Sequence, residues 1–169
     1  MTLRWCHHDS PLGPLLLAGM HEALHFLSFP EGDKAFGPAP GWTEDAAPFD
    51  EVRRQLDDYF AGARSAFDLP LRPEGTEFRE KVWALLATIP YGTTTTYGAL
   101  ARRLDAPGAS RAVGAANGAN PIPIILPCHR VLGMNGKLTG FGGGLPAKQW
   151  LLRHERGYLR QGDSQLLLL

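Results

Sequence analysis

Three observations predict an α+β protein built in two parts. Short apolar segments separated by turn residues run as far as Phe29, apolar stripes at helical spacing dominate after Thr76, and Pro70–Gly75 punctuates the chain between them. At the start, Leu3–Cys6 precedes the turn signal Ser10-Pro11-Leu12-Gly13. Leu15–Ala18 then leads through Gly19-Met20-His21-Glu22 to Ala23–Phe29, the pattern of a hairpin. Pro30–Trp42 is rich in Pro and Gly and reads as a loop. Phe49, Val52, Leu56 and Phe60 recur at helical spacing with Gly62 as a stop, and Ala66–Leu69 reads as a short strand.

Beyond the linker, Phe78, Val82, Leu85, Leu86 and Ile89 form one helical stripe, opened by Thr76 and closed by Pro90-Tyr91-Gly92. A short helix over Tyr97–Leu104 ends at Asp105-Ala106-Pro107-Gly108, and another runs over Ser110–Asn117. Two short helices joined by a tight turn make a helix-turn-helix pattern. Pro146 and Gly157 bracket a last helix through Trp150, Leu151 and Glu155. The expected division is an N-terminal domain at 1–72, a C-terminal domain at 73–160 and a tail at 161–169.

With 169 residues the chain is long enough for one domain or two small ones sharing an interface. Its 44% apolar and 20% charged residues exclude a disordered chain. No apolar segment approaches a membrane span, and no basic region followed by a long apolar run opens the chain, so neither membrane insertion nor secretion is expected. Cys6 and Cys128 do not make a disulfide framework, which fits a reducing cytoplasm. Net charge is zero but unevenly spread: residues 1–74 carry 6 Lys+Arg against 12 Asp+Glu, and residues 75–169 carry 11 against 5. A basic second half suits a phosphate-facing surface, although uneven solvation alone gives the same count.

The chemistry concentrates at Pro127-Cys128-His129-Arg130-Val131, after the apolar run Ile122–Leu126. A cysteine at the end of a buried segment, beside a histidine, is well placed to become a shielded thiolate; an inert buried cysteine is the alternative. In an extended segment the Cys128 and His129 side chains point apart, so a bridging water is the expected link between them. Asn120-Pro121 marks a turn. Tyr97 and Arg111 stand at the starts of the two short helices, and Ala109, Ala112, Gly114, Ala115 and Ala116 let the second approach another surface closely.

Arg111-Ala-Val-Gly, Asn120-Pro121, Pro127-Cys-His-Arg-Val and Trp150-Leu-Leu-Arg-His-Glu155, taken together, resemble the O6-alkylguanine-DNA alkyltransferases, also called methylated-DNA–protein-cysteine methyltransferases. The resemblance runs from about Thr76 to Gly157 and more weakly upstream. It implies a small α/β N-terminal domain packed on a mainly helical C-terminal domain with a helix-turn-helix. It further implies direct, irreversible transfer of an alkyl group from guanine O6, and from thymine O4, to Cys128. His129 would draw the thiol proton through water, with Glu155 supporting the imidazolium. Tyr97 would assist nucleotide rotation and donate to the departing guanine, while Asn120 bridges the helix-turn-helix to the active-site turn. The second short helix, with Arg111, Ala112, Gly114 and Ala115, would lie in the minor groove, and Arg111 would fill the gap left by the extruded base.

The resemblance places Val131, Phe141, Gly142 and Gly143 around the substrate. Many relatives carry a hydroxyl residue where Gly142 stands, so more room beside the alkyl group is expected here. No cofactor is implied, because the base carries its own leaving group. The implied partner is double-stranded DNA bearing O6-alkylguanine, met by a monomer in the cytoplasm. Cys6, His7, His8, His21 and His25 invite a metal reading, but they lack paired-cysteine spacing, and no metal is expected. Two other classes stay open: a damage-sensing DNA-binding protein that transfers nothing, and a thiol hydrolase using Cys128, His129 and Glu155. Stoichiometry separates them, at no, one or many transfers per molecule.

Overall fold

The computed structural model describes residues 2–159, so the 161–169 tail lies outside the described residues. Strands β1 (Arg4–His8), β2 (Leu15–Met20), β3 (Ala23–Ser28) and β4 (Thr43–Glu44) form one sheet in the order β3-β2-β1-β4. The predicted hairpin is β2–β3, whose turn residues His21 and Glu22 both have positive φ, 53° and 64°. That geometry matches the right-handed twist of the strands, although neither residue is the glycine or asparagine that accepts it most readily. The sheet gains β4 by parallel pairing with β1 at the end of the Pro/Gly-rich loop. Two residues are too few to leave a periodic signal.

Helix α1 (Asp50–Phe60) packs Val52, Leu56 and Tyr59 inward and stops just before Gly62, which takes φ 78°. The strand expected over Ala66–Leu69 does not form. Gln55, buried on α1, takes that backbone instead: its Oε1 accepts from Asp68 N at 2.9 Å and its Nε2 donates to Asp68 O at 3.0 Å. The chain meets the sheet only two residues later, where Leu71 bridges Leu24 of β3. A side-chain amide has satisfied the groups that a strand ladder would have used.

Helix α2 (Glu77–Leu86) begins where Thr76 accepts from Arg79 N at 3.2 Å, an N-cap that the sequence announces. Helix α3 (Tyr97–Arg103) is capped by Thr96, and α4 (Ser110–Gly118) follows after a turn in which Asp105 takes φ 55°. α4 packs against both α2 and α3, and Trp83 of α2 donates its indole N–H to Ala116 O at 2.8 Å. Helix α5 (Leu145–Leu159) runs through Gly157 rather than ending there. A lone glycine costs a helix only about 1 kcal/mol, too little to stop one by itself. β5 (Thr95–Thr96), just before α3, pairs in parallel with β6 (Val131–Leu132), which lies between α4 and α5.

One apolar core spans both parts, joining Leu17, Leu24 and Leu27 of the sheet to Leu56, Leu86, Val113, Ile122 and Leu151. Two half-sized cores would each bury a smaller share of their surface, so the shared core stabilises both. Replacing His21-Glu22 by Asn-Gly should relieve the left-handed turn and raise stability by roughly 1 kcal/mol. Urea denaturation of both proteins checks this, and an unchanged midpoint would show the turn to be unstrained.

Candidate active site

The run Ile122–Leu126 is buried as its composition predicts, apart from the half-buried Pro123, and it folds as a tight turn. Leu126 N donates to Ile122 O at 2.9 Å, and Ile124 takes φ 73°, a costly conformation for a β-branched side chain. Asn120 shapes this turn: its Oδ1 accepts from Ile122 N at 3.0 Å and its Nδ2 donates to Leu126 O at 2.8 Å. Cys128–Arg130 then forms a single 3₁₀ turn, so the extended geometry expected for Cys128 and His129 is replaced. Asn117, at the end of α4, donates to Cys128 O at 3.4 Å and ties the helix-turn-helix to the turn that carries the sulfur.

Cys128 lines a small cleft walled by Phe29 and Lys34 from the N-terminal part, Asn117 and Asn120, and the loop Gly140–Gly143. The predicted residues Phe141, Gly142 and Gly143 therefore meet Cys128 there. Val131 does not line this cleft: it is wholly buried in β6, and its carbonyl accepts from Lys148 Nζ at 2.8 Å. The room expected beside Gly142 is taken. A Cβ on Gly142 would lie 2.8 Å from Lys34 Cγ, and Lys34 N donates to Gly142 O at 3.2 Å. The lysine stem occupies the space that the missing side chain leaves.

Behind the sulfur stands a buried ionic cluster. His129 Nε2 meets Glu155 Oε2 at 2.7 Å, while Arg130 Nε donates to Glu155 Oε1 at 2.8 Å. Arg130 also gives one guanidinium nitrogen to Glu155 Oε2 at 3.0 Å and another to Ile89 O at 2.6 Å. His129, Arg130 and Glu155 are all buried, and His129 Nδ1 has no hydrogen-bond partner among the described residues. Burial works to raise the Glu155 pKa, but His129 and Arg130 outweigh it and hold the carboxyl well below the usual range. Burial lowers the His129 pKa, keeping the imidazole neutral at rest, although Glu155 opposes this.

Burial pushes the Cys128 thiol up to about 11, against the opposing pull of an Asn120 hydrogen bond and the Lys148 charge. The resting sulfur is thus a protonated thiol rather than the standing thiolate that its neighbours suggest. Lys148 itself is pressed down to about 8 by burial. Sequence reasoning missed Arg130, Lys148 and Asn117. The signal for Lys148 was available: Lys148, Leu151, Leu152 and Glu155 share one face of α5 at i, i+3, i+4 and i+7, so two charges interrupt a buried stripe.

On the other side of the cleft lies the helix-turn-helix. Arg111, Ala112 and Ala115 are exposed on the outer face of α4, with Arg102 and Arg103 exposed on α3. Tyr97, half-buried at the start of α3, packs its ring against Gly114 and bonds its hydroxyl to Thr139 Oγ1 at 2.9 Å. It does not line the Cys128 cleft. The N-terminal cysteine and histidines do not converge. His8 pairs with Asp57 at 2.7 Å, and no group of three or more potential metal ligands occurs among the described residues.

Comparison with known proteins agrees across the chain. Residues 3–73 match the ribonuclease-like domain of 6-O-methylguanine DNA methyltransferases, and residues 77–157 match their DNA-binding domain. A methylated-DNA–protein-cysteine methyltransferase of Methanosarcina acetivorans is 52% identical over 147 residues, 87% of this chain and 94% of that one. One from Mycolicibacterium paratuberculosis is 52% identical over 149 residues, 88% of this chain and 89% of that one. The crystal structure of a Mycobacterium tuberculosis O6-methylguanine methyltransferase superposes with a TM-score of 0.87 at 46% identity, covering 98% of this chain and 99% of that one. A Mycobacterium tuberculosis OGT in complex with DNA gives 0.85 at 46% identity, covering 99% of each.

Glu155→Ala should destabilise the protein by on the order of 3–5 kcal/mol near neutral pH, because Arg130 is left buried without its anion. The parent should also lose stability as pH falls. Both Glu155 and His129 have depressed folded pKa values, so the unfolded chain binds protons first. Urea unfolding of both proteins across pH tests this; a cost below about 1 kcal/mol would mean that Arg130 finds another partner.

Proposed function

The chain belongs to the 6-O-methylguanine DNA methyltransferase family, and from that membership we propose that Cys128 is the atom-accepting residue of a single-use DNA repair protein. The protein is a methylated-DNA–protein-cysteine methyltransferase: it moves an alkyl group from guanine O6 in double-stranded DNA to its own cysteine. The observation that carries the residue assignment is Cys128 in the cleft with the buried His129–Glu155 pair behind it. In the reaction the sulfur attacks the saturated alkyl carbon, the S–C bond forms and the C–O6 bond breaks. The electron pair leaves with the base. The product thioether has no carbonyl for water to attack, so the cysteine is not regenerated.

His129 takes the thiol proton. Its unpartnered, buried Nδ1 supports a water-linked route to Cys128, because such an atom is costly unless something fills its bond. Glu155 then faces an imidazolium rather than a neutral ring, and the charge pair offsets the cost of making a thiolate in a dry site. For Tyr97 to donate to the departing base its hydroxyl must leave Thr139 Oγ1 and turn toward the cleft, while the Asn117 and Asn120 amides hold the turn. The exposed face of α4, with Arg111, Ala112, Gly114 and Ala115, enters the minor groove, and small side chains there let the backbone come close. Phosphate and groove-shape contacts carry little base information, which suits a lesion found in any sequence.

Within this reading residues 1–72 form the N-terminal domain and 73–160 the part that binds DNA and does the chemistry. The substrate in this reading is O6-alkylguanine. The protein works as a monomer, and the unpaired Cys6 and Cys128 suit a reducing cytoplasm. A thiol hydrolase would form an ester-like intermediate and turn over; a sensor would transfer nothing.

Cys128→Ala should abolish transfer and keep binding to alkylated duplex, while the parent delivers one alkyl group per molecule in a burst with no further turnover. Label on Cys6, or continued turnover, would sink the assignment. Arg111→Ala should slow repair in duplex by on the order of tenfold, about 1.4 kcal/mol, and leave reaction with free O6-benzylguanine nearly unchanged. Single-turnover rates on the two substrates decide this; equal losses would make Arg111 a residue of the fold.

A further inference from the structure

The residues given roles in the chemistry so far all lie beyond residue 90, yet one atom touching the relay comes from α1. Tyr59 is wholly buried, and its hydroxyl donates to Glu155 Oε2 at 2.7 Å. That oxygen is the one that meets His129 Nε2, also at 2.7 Å. The rings of Phe60, Phe67, Tyr91 and His154 surround the tyrosine, so a phenylalanine would fill the same space without a polar atom to desolvate. Burial and the adjacent carboxylate raise the phenol pKa well above its ordinary value, which makes the hydroxyl a permanent donor.

We propose that Tyr59 is a positioning residue of the alkyl-transfer relay, through which the N-terminal domain sets how strongly Glu155 supports the His129 imidazolium. The inference rests on the functional reading of Cys128, His129 and Glu155 given above. The O–H dipole points its positive end at Oε2, adding a donor beside His129 and the Arg130 guanidinium on that oxygen, so less negative potential reaches the imidazole. Glu155 does not depend on Tyr59 for its place. Arg130 grips both oxygens, and Gly92 N lies 3.4 Å from Oε1. The other titratable groups facing the cluster are Cys128 and Lys148 beside His129, Tyr91 beneath the Arg130 guanidinium at 5.6 Å, and His154 against the Tyr59 ring. None of these depends on the Tyr59 hydroxyl for its contact. His154 Nε2 bonds the Tyr59 backbone carbonyl at 2.7 Å, which a change in the side chain leaves in place.

Removing only the hydroxyl therefore leaves the geometry and strengthens the base. The test is the pH dependence of alkyl transfer from free O6-benzylguanine to the full chain, a substrate that bypasses DNA binding. Because His129 must be neutral to take the thiol proton, a stronger base is protonated at higher pH, so Tyr59→Phe should move the acid limb of the profile to higher pH by about half a unit or more. 3-Fluorotyrosine at position 59, a stronger donor in the same space, should move it to lower pH, and it decides alone should Tyr59→Phe fail to fold. A limb that stays in place, or moves the opposite way in either protein, overturns the inference. Failure of the parent to transfer to Cys128 would instead overturn the functional reading, so the two failures are distinguishable.

Discussion

One buried carboxylate organises this molecule. Glu155 takes donors from three directions: Tyr59 from the N-terminal domain, His129 and Arg130 from the active-site turn, and Gly92 N from the loop after α2. A lone carboxylate at that depth would be protonated, because burial in low dielectric penalises the charge. Arg130 keeps it ionised, and Arg130 in turn is tolerable in the interior only because Glu155 is there. The pair is thus mutually required, and removing either member leaves a buried charge without compensation. Closing this cluster draws α1, the 3₁₀ turn and α5 together around the sulfur.

The same burial explains the resting state of the sulfur. A standing thiolate would be reactive toward any electrophile, and the site instead holds Cys128 as a thiol with its pKa raised to about 11. The opposing influences, Asn120 and Lys148, are already beside it, and in the proposed reaction a neutral His129 backed by an ionised Glu155 takes the proton. A base that enters the cleft displaces solvent from a site whose polar groups are already aimed, so little reorganisation remains for the reaction itself. Because the acceptor is the protein's own side chain and the product bond is stable, one event per molecule follows from the chemistry without any further device.

The division of labour follows from where polar groups can be afforded. Ionic and amide groups sit behind Cys128, where packing fixes them; Asn117 and Asn120 lock the turn to α4. The outer face of α4 carries alanines and a glycine, with Arg111, Arg102 and Arg103 exposed nearby. A smooth basic surface gains affinity from phosphates without reading bases. The N-terminal part, acidic by composition, contributes Lys34 and Phe29 to the cleft wall and Tyr59 to the Glu155 cluster, so its part in the site is specific even though its surface does not suit DNA.

Local sequence determined what local physics controls. The β2–β3 hairpin, the Thr76 cap, the helical stripes of α1 and α2 and the helix-turn-helix could be read because each rests on periodicity or turn chemistry within a few residues. Family resemblance carried the assignment of Cys128, His129 and Glu155, since adjacency in the chain says nothing of what stands behind a sulfur. Tertiary structure alone decided the rest. Gln55 bonded the backbone of Asp68 and removed a strand that local propensity favoured, and Lys34 filled the gap beside Gly142 from more than a hundred residues away. Arg130 and Tyr59 look like ordinary surface or packing residues in the sequence. They become parts of the site because burial makes every charge and hydroxyl find a partner, and which partner it finds depends on elements that meet only when the chain has folded.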